Sequence, residues 1–390
     1  MSRTSPVRVI GVGVCAALVA GATLGNVGAN VMPVLLPGMA ERFDLSHTAS
    51  GVVATVQLLA TAVAALVLAP RAARPGRTRL ARAGLVATVA GFVLASTAPG
   101  LGLLIAGNAI AGAGLGAVCA AAMAAIAATG DTDAASTVTV LGGTVVIAIL
   151  IIVIPMANDA WGGAAAFACL AALCLPAYWL VRALPEAAEP GRGASSGRPV
   201  PLVFLLALVL LGATEQGAWS YGEVLGEHHA GMSADAVSIV LSVVAVVSLA
   251  GAVLCPVACR RFGRPTVMVA FVAVEIAAKL VIAVVPWAVS YTVAAIIWQV
   301  SYMALLVLVL TVAASADPSG RWIAAASGAS ALGAGLGPAP VGWILDTWGA
   351  LGLGVVLAAA TLLAAIPIVR TIRAVSTGLA EPLKLAEAGE

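Results

Sequence analysis

Ionisable side chains are sparse along most of this chain, so those standing inside apolar runs are the first places to look for chemistry. Glu215 sits in LLGATEQGAWSY (210–221), fourteen residues beyond Pro201. On a helix that is ~21 Å of rise, beyond the middle of a membrane-length element. A carboxyl at that depth can take up and release one proton as its surroundings dry and wet. Gln216, Trp219 and Tyr221 follow it, and Glu215 and Trp219 share a helix face at i, i+4. Two readings stay open for Glu215: a proton-coupling or substrate group, or a hydrogen-bonded packing or gate contact.

Glu275 and Lys279 are also one turn apart, in the favourable Glu-first order, and are expected to form an ion pair within the membrane. The structural reading has Lys279 snorkelling outward. The functional reading has the pair breaking and re-forming during coupling. Asn26, Asn30, Gln57, Gln216, Trp219, Trp298, Gln299 and Tyr302 are the substrate-cavity candidates. Amides and aromatic rings at that depth can hold a polar solute or simply bond a neighbouring helix. Six cysteines lie in or at the ends of apolar runs, where a thiol behaves as a small hydrophobe. Cys255 and Cys259 have no second pair at zinc spacing and no histidine nearby, so no metal and no cofactor is expected.

The elements that carry these residues follow from composition. With 62% hydrophobic and 9% charged residues, the chain has too few polar side chains to cover a water-facing surface. Lipid must therefore be its main solvent. A net charge of +2 gives no nucleic-acid surface. Crossing ~30 Å of hydrocarbon takes ~20 helical residues. Cuts at charged and Pro/Gly-rich breaks give twelve such stretches: 8–36, 49–69, 80–98, 101–128, 136–157, 161–183, 201–222, 233–257, 265–286, 288–315, 322–345 and 349–369. The runs are long and lack ten-residue alternation, which predicts an all-α bundle and not a barrel. The first run is too long for a signal-peptide core and is expected to be a span.

Basic residues set the expected orientation. With both termini cytoplasmic, all 19 Lys and Arg except Arg42 and Lys279, that is 17, fall in cytoplasmic segments. The expected location is the cell (cytoplasmic, inner) membrane, crossed many times. A Pro/Gly/Ser-rich linker, 185–200, divides a six-helix bundle at 1–184 from another at 201–372, followed by a cytoplasmic tail at 373–390. At a spacing of 186 residues, APRAARPGR (69–77) faces CPVACRRFGR (255–264), and AATGDTD (127–133) faces AASADPS (313–319). Such matches point to two homologous halves.

On these residues the chain resembles the major facilitator superfamily along essentially its whole length. PRAARPGRTR (70–79) and PVACRRFGR (256–264) look like the two copies of the family's loop signature, matched at Arg74, Gly76, Arg77, Arg260, Arg261, Gly263 and Arg264. The family's aspartate is replaced by Ala73 and Arg260. NAIAGAGLG (108–116) resembles the fourth-helix pattern, with Asn108 in the place of its arginine and Gly112, Gly114 and Gly116 as packing glycines. Gly337 and Pro338 lie in a run similar to helices 10 and 11 of bacterial permeases. The resemblance implies two pseudo-symmetric six-helix bundles, alternating access and secondary transport, with helix 7 lining the cavity and helix 9 peripheral.

The sequence therefore predicts a non-enzymatic secondary transporter of a small organic solute, coupled to protons and working as a monomer in the bilayer. No Walker lysine motif supports direct ATP drive. Amides and aromatics without a basic cluster favour efflux of a modestly hydrophobic compound. Uptake of a nutrient by the same fold, and a non-transporting sensor or scaffold, stand as alternatives.

Overall fold

The computed structural model describes residues 11–129, 131–186, 199–317 and 319–387. Arg3, Arg8, Arg192 and Arg198, and most of the expected linker, lie outside the described residues. No β-strand occurs among the described residues, which are almost entirely helical. Helix is the only element that satisfies each backbone polar group within its own segment, as lipid requires.

The helices run α1 (Val12–Asn30), α2 (Met32–Phe43), α3 (His47–Ala72), α4 (Arg77–Ser96), α5 (Leu101–Ala127), α6 (Thr132–Trp161) and α7 (Ala165–Leu180), then α8 (Leu202–Ser220), the short α9 (Gly222–Val224), α10 (Ala234–Val247), α11 (Leu249–Phe262), α12 (Arg264–Val284), α13 (Ala288–Ala316), α14 (Arg321–Leu336) and α15 (Pro338–Glu387). Among the described residues, 11 helical segments are long and apolar enough to cross a membrane. The last, Arg321–Ser376, covers 56 residues, or ~84 Å of helix, far beyond one crossing. It breaks at Gly349, whose φ of 65° and ψ of −169° only glycine adopts readily. The break divides it into two spans, so twelve crossings result.

The chain forms two compact units, Met1–Val31 with Val56–Gly191, and Met32–Thr55 with Arg192–Glu390. In the first unit α4 lies tight against α5, because Gly91 and Gly107 leave room for each other's backbone and Gly114 meets Gly84 and Thr88. In the second, Gly212 and Gly333 bring α8 onto α14, and Gly217 meets Gly337 and Val341. Small residues are the natural contact surface where lipid offers no hydrophobic drive for helix association. The second unit's core gathers Phe204, Leu208, Met268, Leu305, Leu308, Trp322 and Ile368. Large apolar side chains such as Val67, Val145, Leu175, Val253 and Leu363 point outward from the packed cores. That distribution suits a hydrocarbon surround and would be costly in water.

Candidate functional site

Four helices of the second unit converge on one buried ionic cluster. α8 carries Glu215, α12 carries Glu275 and Lys279 one turn apart, α13 carries Trp298, and α15 carries Thr361. The Lys279 ammonium donates to Glu215 Oε1, to Glu275 Oε1 at 2.6 Å and to Thr361 Oγ1 at 3.2 Å. Those three contacts match its three N–H donors. Trp298 Nε1 donates to the other Glu215 oxygen at 2.7 Å. The Lys279 ammonium also lies 5.7 Å from the Trp298 ring centroid, within cation–π range.

The cluster is shut away: Glu275 is 0% exposed and Lys279 3%. Lys279 therefore does not snorkel outward. Its ammonium turns into the bundle because a second carboxylate waits there on α8. The sequence pattern shows the i, i+4 pair but places Glu215 apart from it; the structure joins all three. Two carboxylates against one ammonium leave one formal negative charge, and one added proton makes the cluster neutral. Glu275 Oε2 is buried without a hydrogen-bond partner. Beside Lys279 and Trp298 lies a void of about 20 Å³, bordered also by Leu225, Ile282 and Leu357. That is room for about one water.

The other predicted residues are placed differently. Trp219 is buried on α8, and Gln216 is half-buried with its Nε2 donating to Ser220 Oγ at 3.4 Å. Gln299 and Tyr302 are half-buried on α13, where Trp298 turns to Glu215. In the first unit Asn26 Nδ2 donates to Ala22 O and Asn30 Nδ2 to Asn26 O, both at 2.9 Å, so each amide bonds back to its own helix. Gln57 is 0% exposed and neither side-chain amide atom has a hydrogen-bond partner. Its side chain lies against Gly28, and its backbone carbonyl lies against Gly112. Gly116 likewise faces Thr61 O, while Gly337 faces Ala213 O and precedes Pro338 at the α14–α15 joint.

At the loop signature, Gly76 adopts φ 95° and caps α4. Its N–H donates to Glu186 Oε2 at 2.7 Å. Burial pushes the Glu186 carboxyl up, but hydrogen bonds from the backbone N–H of Gly76 and from Thr78 outweigh it and hold the group below its ordinary range. Arg77 is buried and donates to Ala124 O at 2.6 Å and Pro185 O at 3.1 Å. The carboxylate missing at Ala73 is thus supplied from further along the chain by Glu186. A lone glutamate at the start of a polar linker gives no sequence signal of that role. Arg74, Arg260 and Arg261 are exposed, and Arg264 Nη1 donates to Ser315 Oγ at 3.3 Å. Gly263, at φ 80°, opens α12.

A second polar cluster in the same unit was not foreseen. Asp346 accepts from the backbone N–H groups of His47 and Thr48, at 3.2 and 2.7 Å, and from Thr48 Oγ1 at 2.6 Å. Tyr221 donates to His47 O at 2.6 Å. A carboxylate on the first N–H groups of α3 meets the positive end of its dipole.

The profile of the Major Facilitator Superfamily matches residues 14–338. The chain belongs to this superfamily. No curated protein matches it in sequence. As a major facilitator protein it is similar in fold to the nucleoside transporter NupG, with a TM-score of 0.76 at 12% identity over 93% of this chain and 100% of that one. A D-xylose–proton symporter gives 0.71 at 13% identity, over 91% and 96%. A bacterial homologue of the human lysosomal transporter Spinster gives 0.70 at 14% identity, over 93% and 96%. At these identities the likeness is one of fold.

Proposed function

We propose that this major facilitator protein is a secondary active transporter that moves a small organic solute by alternating access, coupled to protons through Glu215, Lys279 and Glu275. The carrying observation is the buried cluster in which one ammonium holds two carboxylates from different helices. Its charge changes by one when a proton arrives, and Lys279 can hold either carboxylate more closely as α8 and α12 shift. Burial makes the unneutralised state costly, so proton occupancy and helix arrangement are coupled. That a solved structure of the same fold is named a sugar–proton symporter supports coupling of this kind in this fold.

Export of a modestly apolar solute is the preferred direction, because amides and aromatics outnumber charges among the candidate residues. Both termini are placed in the cytoplasm by the basic residues, with the protein in the cell membrane as a monomer.

The test is Glu215→Gln in proteoliposomes, at matched protein abundance, in a transport screen with the proton gradient on and off. Loss of gradient-driven flux with solute exchange retained is the expected result. Unchanged coupling would remove Glu215 from the proton path.

A further inference from the structure

A cavity of about 390 Å³ lies wholly inside the first unit, among α1, α6 and α7. Val12, Val19, Val146, Leu173 and Leu180 line it, and Thr23 stands on its wall. No charged side chain borders it. The size falls in the range of small-molecule sites, ~300–1,000 Å³. Val12 and Leu180 are exposed at one end, whereas Thr23 and Leu24 are buried at the other, so the cavity runs inward from the outer surface of the unit.

Thr23 distinguishes this cavity from a gap between helices. It is 6% exposed, and its Oγ1 has no hydrogen-bond partner. A threonine on a helix commonly satisfies its hydroxyl on the carbonyl of the preceding turn, as Thr61, Thr88 and Thr139 do here. Leaving one unsatisfied costs ~1–3 kcal/mol unless something else pairs with it. Gly143 of α6 keeps that side open, since a Cβ there would stand 3.0 Å from Thr23 Oγ1.

We propose that this cavity binds a neutral, elongated apolar molecule with a single hydrogen-bonding group, which Thr23 receives while the chain lies along α1, α6 and α7. Two sources share that chemistry: a solute dissolved in the membrane, and a lipid of the bilayer. The site holds whether or not Glu215 couples protons, and binding is read without flux.

A diazirine-bearing ten-carbon alcohol and the matching alkane serve as probes on the full chain in proteoliposomes, with adducts mapped by peptide mass spectrometry. Labelling around Val19, Val146 and Leu173 is expected to favour the alcohol about fivefold, the scale of one neutral hydrogen bond. Thr23→Val keeps the shape and should erase that preference, and Ala20→Phe should block labelling by both probes. Equal labelling by alcohol and alkane, or a preference that survives Thr23→Val, overturns the proposal. Thr23→Val serves as the check should Ala20→Phe fail to fold. Competition by a lysophospholipid assigns the site to bilayer lipid; competition by free decanol alone assigns it to a solute.

Discussion

Lys279 shows how one side chain can decide the energetics of a buried site. Its ammonium is the common partner of Glu215 and Glu275, and those two carboxylates have no other cation within ion-pair distance among the described residues. Lys279→Met should therefore destabilise the protein by ~3–5 kcal/mol, because it leaves uncompensated charge in the interior. Thermal unfolding of purified protein in detergent measures this. Adding Glu215→Gln and Glu275→Gln to Lys279→Met should recover much of the loss, since all three groups are then neutral. A loss no larger than that of an exposed substitution would show that the ammonium does not hold the carboxylates. The i, i+4 spacing of Glu275 and Lys279 is legible in sequence; the 64-residue separation of Glu215 from Lys279 is not.

Helix contacts in this protein rest on missing side chains as much as on present ones. At Gly91 an added Cβ would meet Gly107 O and Ala111 N, backbone atoms of α5 that cannot swing aside. Gly91→Val is expected to cost at least ~1–3 kcal/mol through overpacking between α4 and α5. Gly102 sits in the first turn of α5 with nothing within 4 Å of the position. Gly102→Ala should be neutral or stabilising by up to ~1 kcal/mol, from helix propensity alone. The pair of variants, compared by thermal unfolding, separates a packing glycine from an incidental one. Sequence singled out Gly112, Gly114 and Gly116 by density, but not which neighbour each faces. Gly112 and Gly116 turn to the α3 backbone and Gly114 to α4, a division fixed by their phase around α5.

For the whole molecule, the basic loops carry the strongest prediction. On a cysteine-free background, Ala73→Cys and Arg260→Cys should resist a membrane-impermeant maleimide in intact cells. Glu227→Cys, at the opposite end of the expected topology, should react. Labelling of the first two would reverse the orientation derived from the positive charges. Only three-dimensional packing groups Met32–Thr55 with the second unit. The hydrogen bonds from His47 and Thr48 to Asp346, from Tyr221 to His47 and from Ala339 N to Thr55 Oγ1 hold it there.

The sequence alone determined the solvent, the helical class and the number of crossings, because hydropathy and span length are sums over local residues and the bilayer thickness is a fixed ruler. It also located the ionisable groups, since charge in an apolar run is conspicuous. Tertiary structure decided which of them meet. Glu215 joins Lys279, Glu186 replaces the carboxylate absent at Ala73, and Thr23 is left without a partner at the wall of a cavity. Those outcomes depend on the rotation of each helix about its axis and on neighbours far along the chain, and residue spacing along one helix contains neither.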